Sequence, residues 1–504
     1  MILQKTSKTT LTSQDILDII QNYESNYVKH LNDLWEYYKG KNVKILQRKA
    51  PDLNNPDNKI VVSYARKLVT TWTGYGYRPH YITYKANVKK DTKEIAEEPA
   101  PEIKVEPIEK QYLNEIQTIY NINNEHIKTN RAGRNTAIYG VSYEIAYVDG
   151  EYINADQGIE LKAMPRFFTV DPRQMIVLYD YSPEPKIVIG IRFYEMDNPN
   201  EYKVEVYYAD RVEKYIRYRQ SSDQTKWLLK PDGTPEPSPF GEVPIIAYYL
   251  GDDIQSIYDN VLSLIDAYDV LFSDSMNEFD RFAFAYLIMK KFSLTSPTEK
   301  KDPFKVSYAL QLLKRRRVFE GLDKDADIKF LTKDIPTPFI QHIGNQLREQ
   351  IHIQSHVPDF TSDKMAGASG IAIQRLMFDF ENLVSSAEAD FDLGLYTRMR
   401  MITHFLKSIN KITVGSPEMI TISHKRNIPL NTLEFAQTAL TMSSAGFSRR
   451  AVVGIMPEDI IPDVEEELAE EKREQEDLLS NNFDTVPPEE EDEEEPEGNV
   501  EEEE

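Results

Sequence analysis

Residues 357–370 read Val-Pro-Asp-Phe-Thr-Ser-Asp-Lys-Met-Ala-Gly-Ala-Ser-Gly, a run of small and turn-forming side chains that predicts a loop. Apolar residues then recur every three or four positions, as on one face of an α-helix: Ile373, Leu376, Met377, Phe380, Leu383, Val384, Ala387, Phe391, Leu395, Met399, Ile402, Phe405, Leu406 and Ile409. With Ser369 as the N-cap and no proline before Pro417, this pattern predicts a helix of roughly 40 residues, on the order of 60 Å long.

Gly394 stands near the middle of this helical pattern. Glycine in a helix interior costs about 1 kcal/mol relative to alanine, and glycine is found at helix kinks. We therefore predict a kink at Gly394. A helix of this length is more than a single globular core needs, so the pattern favours an elongated subunit.

The composition is that of a large folded protein. The chain has 504 residues, of which 40% are hydrophobic and 11% aromatic, so two or more domains are expected. The absence of cysteine excludes disulfides, cysteine-ligated metals and thiol catalysis. The first residues lack a signal-peptide pattern, and no apolar run approaches the roughly 18 residues of a membrane span. We expect a soluble chain in the cytoplasm.

The negative charge is concentrated at the C-terminal end. Residues 465–504 hold 21 acidic and 2 basic side chains, so they carry −19 of the net charge of −24 and leave −5 for residues 1–464. An acidic segment of this kind repels nucleic acid and is typical of a disordered, solvated tail. The rest of the chain is close to neutral.

The first half of the chain predicts helices followed by strands. A capping box, Thr12-Ser-Gln-Asp15, opens a helix that ends near Gly40, and further helices are predicted over 60–73 and 111–136. The polar residues 85–110 between them predict an exposed insertion. Residues 141–249 alternate in short runs rich in Tyr, Val and Ile, which predicts a mostly antiparallel region of about six strands, at 141–148, 161–170, 186–195, 202–208, 212–218 and 244–249.

The second half predicts two helices that bracket a small subdomain. The helices cover 253 to about 285 and 338–355. Between them, the pattern predicts a helix at 306–315 and strands at 317–319 and 328–331. After the long helix, it predicts a strand at 419–424 and helices at 431–445, 449–455 and 462–479.

The sequence carries no established catalytic or nucleotide-binding motif. It lacks the phosphate-binding loop, the Gly-x-Gly-x-x-Gly fingerprint, the His-Glu-x-x-His zinc motif and the nucleophile elbow. His352 and His356 have the i, i+4 spacing of some metal sites, but Pro358 ends the helix close by, which disfavours such a site. The acidic residues at 323, 325 and 327 resemble a calcium loop, but Ile328 stands where the turn glycine belongs. We predict no metal and no cofactor.

The densest basic run is Lys314-Arg-Arg-Arg317. It is compatible with a helix end stabilised by its dipole and solvent. A less favoured alternative is a site for nucleic acid or for an acidic protein partner.

Several stretches resemble the portal proteins of tailed double-stranded-DNA bacteriophages, in particular the family typified by a Bacillus siphophage head-to-tail connector. The similarity extends over roughly residues 13–478 and depends on the order and spacing of segments more than on any single motif. The segments are 37–40, 58–69 with 74–76, 135–144, 170–175, 263–269, 330–335, 352–358 and 368–373.

This resemblance implies an α+β, portal-type subunit without enzymatic activity. Its expected parts are a mixed α/β wing (1–250, with the flexible insert 85–110), a wing and stem helix (251–284), a small α/β clip (285–335), a stem helix (336–356), a tunnel loop (357–370), a long kinked helix with a wing strand (371–430), a helical crown (431–480) and a disordered acidic tail (481–504).

The resemblance also implies a ring of about 12 subunits, or 12–13 copies, at one capsid vertex of the virion. It would assemble in the host bacterial cytoplasm and contact the major capsid and scaffolding proteins. Double-stranded DNA would pass non-specifically and weakly along the tunnel loop, at Asp359, Thr361, Ser362, Asp363, Lys364 and Met365. The terminase large subunit, and later a head-to-tail adaptor, would dock on the clip at Lys314, Arg315, Arg316 and Arg317.

Two alternatives remain open from the sequence. One is another minor head or connector protein of a phage, which would lack an axial channel as wide as duplex DNA. The other is an enzyme of an unrecognised class, which would turn over substrate as a purified monomer.

Overall fold

The computed structural model describes residues 4–49, 56–88, 107–155, 158–198, 201–220, 223–251, 253–283, 286–290, 311, 327–331, 337–361, 373, 375, 377–426, 432–456, 461, 464 and 467–474. The predicted basic run of the clip, 314–317, lies outside these residues, as do most of the tunnel loop and residues 481–504. The chain divides into two units, one ending at Asn427 and the other beginning at Ile428.

Helices and strands are both well represented, so the expected α+β class is confirmed. The described helices are α1 (Ser13–Tyr23), α2 (Lys29–Tyr38), α3 (Val43–Leu46), α4 (Tyr64–Gly76), α5 (Ile108–Asn123), α6 (Glu125–Tyr139), α7 (Leu262–Ala283), α8 (Thr337–Gln354), α9 (Phe378–Ser408), α10 (Thr432–Ser444) and α11 (Arg449–Gly454). The described strands are β1 (Gln4–Lys5), β2 (Ile82–Ala86), β3 (Val141–Ala155), β4 (Gly158–Val170), β5 (Met175–Tyr179), β6 (Ile187–Glu195), β7 (Glu201–Tyr207), β8 (Arg211–Gln220), β9 (Asp223–Pro231), β10 (Glu236–Pro237), β11 (Ile245–Tyr249), β12 (Tyr286–Lys290), β13 (Asp327–Leu331) and β14 (Ile420–His424).

The strands of the first unit form four sheets among the described residues. The largest has the order β1-β5-β6-β7-β8-β10, with β9 also paired to β8, and all of its pairs except β1–β5 are antiparallel. A second sheet has the order β11-β3-β4, and β2–β14 and β12–β13 form two-stranded sheets. Buried residues of β3, β5 and β11 meet in a shared hydrophobic core.

The antiparallel region has more strands than predicted. All six predicted strands are present, but β5, β9 and the short β10 were not predicted. The sequence of β5, Met-Ile-Val-Leu-Tyr, is buried at every position, so it lacks the apolar–polar alternation that marks a half-exposed strand.

The capping box at the start of α1 is confirmed. Asp15 N–H donates to Thr12 Oγ1 over 3.3 Å, and Thr12 N–H donates back to Asp15 Oδ2 over 3.0 Å. The single helix predicted from this capping box to near Gly40 is interrupted, since Glu24–Val28 form a π-helical turn between α1 and α2. The helix predicted over 111–136 is also two helices, α5 and α6, which meet at Asn124 in the left-handed conformation (φ +50°).

The helix predicted from residue 60 begins later, at Tyr64, because residues 58–62 are extended along α7. Their N–H groups at Asn58, Ile60 and Val62 donate to side chains of Asn277, Ser273 and Asp269 over 2.7, 3.0 and 2.8 Å. Two residues of extended chain and four residues of helix both advance about 6 Å, so alternate backbone groups meet successive helical turns. Side chains of α7 therefore satisfy the backbone that a helix would have satisfied itself.

The predicted bracket around residues 286–333 is present in part. Its second helix, α8, agrees with the prediction within a residue at each end, whereas α7 starts at Leu262 after a 3₁₀ turn at Asp259–Val261. The predicted strand 328–331 lies in β13, which pairs antiparallel with β12. The predicted helix 306–315, apart from position 311, and the strand 317–319 lie outside the described residues.

The long helix α9 is confirmed over 31 residues, about 46 Å of helix. The described helix begins at Phe378, later than the predicted start. Ser369, the predicted N-cap, lies outside the described residues. Its buried face includes Phe380, Phe391 and Met399, and residues near its C-terminal end share a core with α5 and β14. Because this face passes β11 and α5, α9 holds together helices and strands that are distant in the sequence.

The second unit, 428–504, is helical within its described residues. The predicted helices at 431–445 and 449–455 correspond to α10 and α11, and residues 467–474 are helical as well. Ser448 caps α11 by accepting from the N–H of Ala451. Arg449 Nη2 pairs with Glu471 Oε1 over 2.9 Å, which ties the last described segment to α11.

Candidate functional site

The glycine-rich stretch begins at a tight turn after α8. His356 adopts the left-handed conformation (φ +56°), and the side chains of His352 and Val357 on either side are buried. His352 Nδ1 lies 2.9 Å from the carbonyl oxygen of Val357. Because a carbonyl only accepts, Nδ1 carries the proton of the neutral ring and Nε2 is free to accept. Lys67 Nζ, 3.3 Å away on α4, is placed to donate to Nε2.

Asp359 follows this turn and lies between cations from two helices. Its Oδ1 accepts from Lys67 Nζ over 3.0 Å, and its Oδ2 accepts from Arg348 Nε over 2.6 Å and pairs with Arg348 Nη2 at 2.5 Å. Thr361 closes the arrangement, since its hydroxyl donates to Asp359 over 2.7 Å and accepts from Arg348 over 2.6 Å. We call Lys67, Arg348, His352, Asp359 and Thr361 the loop-base cluster.

The electrostatics of the loop-base cluster favour an ionised Asp359. Burial raises the pKa of this carboxyl, but the hydrogen bonds from Thr361, Lys67 and Arg348 outweigh burial and hold the pKa well below its usual range. Burial lowers the pKa of His352, so the imidazole is neutral near pH 7. The cluster therefore contains two cations and one carboxylate, with that carboxylate only 12% exposed.

The structure describes only part of the predicted site. Asp359 and Thr361 lie side by side in the loop-base cluster. Positions 362–365, the other predicted DNA-facing residues, and the predicted docking residues 314–317 lie outside the described part of the chain. Their functional assignments stay predictions.

Gly394 lies where α9 crosses β11. A Cβ at this position would fall 2.4 Å from the ring of Tyr248 and 2.9 Å from the carbonyl oxygen of Ala247. Both distances are shorter than any normal contact, so the close approach of helix and strand requires glycine. The predicted kink stays a prediction; this contact is a second reason for glycine that helical periodicity does not reveal.

The approach at Gly394 leads to a buried ion cluster one helical turn further along α9. The hydroxyl of Tyr248 donates a hydrogen bond to Glu144 over 2.8 Å. Arg398 Nε and Nη2 donate to the same carboxylate over 2.8–3.0 Å. Arg398 Nη1 also donates to Glu125 and Thr129, each over 3.0 Å. Burial lowers the pKa of Arg398, but the carboxylates of Glu144 and Glu125 outweigh it, and the pKa stays above its ordinary value. Arg398 is therefore a charged residue of the core.

A second cluster that sequence reasoning missed joins α9 to the end of β14. His424 Nε2 lies 2.9 Å from Asp392 Oδ1, and its Nδ1 lies 3.3 Å from Glu388 Oε1. Arg426 binds Glu388 with two nitrogens over 2.6 and 2.7 Å. The spacing of Glu388 and Asp392 on one helix face was the available signal, but their partners lie more than 30 positions away.

The histidine pair considered for metal binding has other surroundings, and positions 323 and 325 of the acidic run lie outside the described residues. His352 binds the backbone of Val357, while His356 is exposed in the left-handed turn. Across the described ranges, His, Asp and Glu side chains nowhere gather in a group of three that could hold a metal ion. Within the same ranges, no helix has the length and apolar character that a membrane crossing requires.

Fold and site together define a mixed α and β protein with a long helix, a helical pair at α7 and α8, and an ion-anchored loop base. The family model described as "Phage portal protein, SPP1 Gp6-like" matches residues 17–478. The chain belongs to this family of phage portal proteins, so the resemblance seen in the sequence is confirmed.

The individual proteins that the chain resembles have low sequence identity to it. The portal protein of Bacillus phage SPP1 is 21% identical over 311 residues, and the alignment spans 59% of this chain and 59% of that relative. A chain from the solved neck of an empty GTA particle, computed with C6 symmetry, has 13% identity and a TM-score of 0.36, with 66% of this chain and 79% of that chain covered. A TM-score of that size carries no weight for the fold.

Proposed function

We propose that this protein is the portal subunit of a tailed phage. In this proposal, about 12 copies form a ring at one capsid vertex. The ring is the channel through which the genome is packaged and later ejected, and it is the platform on which connector proteins assemble. The carrying observation is that the family model matches almost the entire chain, residues 17–478.

The charge distribution supports a conduit for DNA. Residues 1–464 carry a net charge of only −5, so the body offers no large excess of cations to hold phosphates. Each phosphate that a protein neutralises adds to affinity and opposes sliding. In the proposal, the stretch 357–370 faces the DNA, and the contacts of Lys67 and Arg348 with Asp359 leave these two cations little capacity for phosphate.

The proposed partners follow from this role. The terminase large subunit docks on residues 285–335 during packaging, and a head-to-tail adaptor takes its place afterwards. Major capsid and scaffolding proteins surround the ring in the virion. The protein itself catalyses no reaction, and the packaging motor supplies the energy.

Electron microscopy with light scattering on the same purified sample tests the ring. We expect closed rings with an axial hole wide enough for duplex DNA and a mass of about 700 kDa, for about twelve copies of the 58.4-kDa chain. A monomer or dimer that still forms no ring when capsid or scaffolding partners are added would contradict the proposal.

Replacement of Lys314–Arg317 by alanine tests terminase docking. We expect normal rings, weaker terminase binding and reduced packaging, because four adjacent cations are lost from the proposed contact surface. The matched control replaces four exposed lysines elsewhere: Lys41, Lys49, Lys186 and Lys226. Equal packaging by the two variants would remove the clip assignment and leave the ring proposal intact.

A further inference from the structure

The two cations of the loop-base cluster already donate hydrogen bonds within the cluster. Arg348 directs Nε and Nη2 at Asp359, and Nη2 also reaches Thr361. Lys67 directs its ammonium group at Asp359 and at His352. The side chains of Lys67 and Arg348 are nevertheless 37% and 35% exposed. Without Asp359 as their partner, a polyanion could therefore reach both cations.

Asp359 differs from both cations in being mostly covered. Its carboxylate is 12% exposed and sits between α4 and α8. A carboxylate in this position is a poor partner for a phosphate, because like charges repel. It is a strong partner for Lys67 and Arg348, because a charge-assisted hydrogen bond is stronger than a neutral one.

We propose that Asp359 is a positioning residue that masks Lys67 and Arg348 from the DNA backbone. This inference rests on the proposed function, since it requires DNA to pass the loop base. It assigns Asp359 a role other than direct contact with DNA. The carboxylate fixes the start of the glycine-rich stretch against two helices and keeps two partly exposed cations from gripping phosphates as DNA slides past.

The salt dependence of DNA binding distinguishes masking from a purely structural role. The slope of log affinity against log salt concentration rises by about 0.9 for each additional phosphate contact on duplex DNA. If Asp359→Asn releases both cations in every subunit that meets the DNA, the slope should steepen by at least about 1–2, and binding should tighten several-fold near 50 mM salt. Loss of a structural contact alone would not add phosphate contacts.

The experiment uses assembled rings and a fluorescent duplex, titrated from about 50 to 200 mM salt, the range in which such contacts dominate binding. We expect Asp359→Asn to steepen the slope and the triple variant Asp359→Asn, Lys67→Gln, Arg348→Gln to return it to the wild-type value. The control is Asp171→Asn, which releases the partly exposed Arg173 from its ion pair elsewhere in the first unit. We expect no change of slope in that control.

A second variant keeps the test decisive if Asp359→Asn does not form rings. Lys67→Gln with Arg348→Gln should leave the wild-type slope unchanged, because the two cations are already masked. A shallower slope would show that they contact phosphates in the native ring and would overturn the inference. An unchanged slope in ring-forming Asp359→Asn would overturn it as well. If wild-type rings neither admit nor package DNA, the proposed function itself fails.

Discussion

The Arg398 cluster and the loop-base cluster both compensate a central charge with charges of opposite sign, but the sign of the central charge differs. At Arg398, one cation lies between the carboxylates of Glu144 and Glu125, and its side chain is 1% exposed. At the loop base, one carboxylate, Asp359, lies between two cations that are each about one-third exposed. The first cluster is enclosed by the core, whereas the second is open to water on its cationic side.

This difference separates residues that stabilise the fold from residues that adjust a surface. Removing one partner of a buried ion pair leaves an uncompensated charge in a medium of low polarity, at a cost of about 3–5 kcal/mol. Exposed pairs contribute about 0–1 kcal/mol, because water already solvates both charges. We therefore expect changes at Arg398 to act on folding, whereas changes at the two exposed cations of the loop base should, in the proposed function, act mainly on contact with DNA.

The largest expected effect is that of Arg398→Met. It leaves the carboxylates of Glu144 and Glu125 buried without their cation, and we expect the free energy of unfolding to fall by about 3–5 kcal/mol. Chemical denaturation at matched protein concentration measures this change, since oligomer stability depends on concentration. Arg400, on the same helix as Arg398, provides the control. It pairs with Glu242 through two nitrogens, but its side chain is 56% exposed.

Arg400→Met should cost no more than about 1 kcal/mol. Similar losses for the two arginines would break the comparison, since burial would then not decide the cost of removing an ion-pair partner. Adding Glu144→Gln and Glu125→Gln to Arg398→Met should recover part of the lost stability, because the uncompensated charges are then gone.

Gly394→Ala tests the same core by steric means. The added methyl group would meet the ring of Tyr248, whose hydroxyl donates to Glu144, so helix and strand must separate. We expect a loss of about 1–3 kcal/mol in the free energy of unfolding. Gly344→Ala on α8 is the control, because its Cβ would make only an ordinary 3.6 Å contact with Leu271.

Gly344→Ala should be neutral or stabilising by up to about 1 kcal/mol, since alanine favours helix over glycine. If Gly394→Ala is equally harmless, the close packing of α9 on β11 is not what requires the glycine, and a bend of the helix becomes the better explanation.

Local patterns in the sequence predicted much of the secondary structure. The capping box at Thr12, the bounds of α8 and the apolar face of α9 all depend on residues a few positions apart, where periodicity and capping rules apply. The same rules misassigned residues 60–63 as helix. There, the backbone partners are side chains of α7 more than 200 positions away, and no local pattern contains them.

The sequence placed Asp359 in a loop but did not reveal its charged partners. The position of Asp359 after a helix and before a glycine-rich stretch marked it as part of a loop. Its partner Lys67 lies 292 positions away, and Arg398 lies 254 positions from Glu144. Charge pairs at such separations form only when the chain has folded, so no local pattern indicated the partners of Asp359 or the Arg398 cluster. The DNA-facing role of Asp359, which the family resemblance implied, stays a prediction.

In solvent exposure, the His424 cluster lies between the enclosed Arg398 cluster and the partly exposed loop-base cluster. The imidazole side chain is 11% exposed. Burial lowers its pKa, but the carboxylates of Asp392 and Glu388 outweigh burial and raise the pKa to about 9. A folded-state pKa above the unfolded value stabilises the protein fully below about pH 6.5, and that stabilisation is lost as the pH rises through about 9.

We therefore expect the stability advantage of wild type over His424→Gln to fall by about 1–2 kcal/mol between pH 6.5 and 9.5, because the imidazole then loses the charge that its two carboxylate neighbours stabilise. Denaturation across this pH range measures it. His30→Gln is the control, because His30 pairs with Asp259 over 3.2 Å but is 53% exposed, so water screens its charge. A pH dependence that is the same in wild type and His424→Gln would mean that this imidazole is not charged in the fold, and that Arg426 alone compensates Glu388.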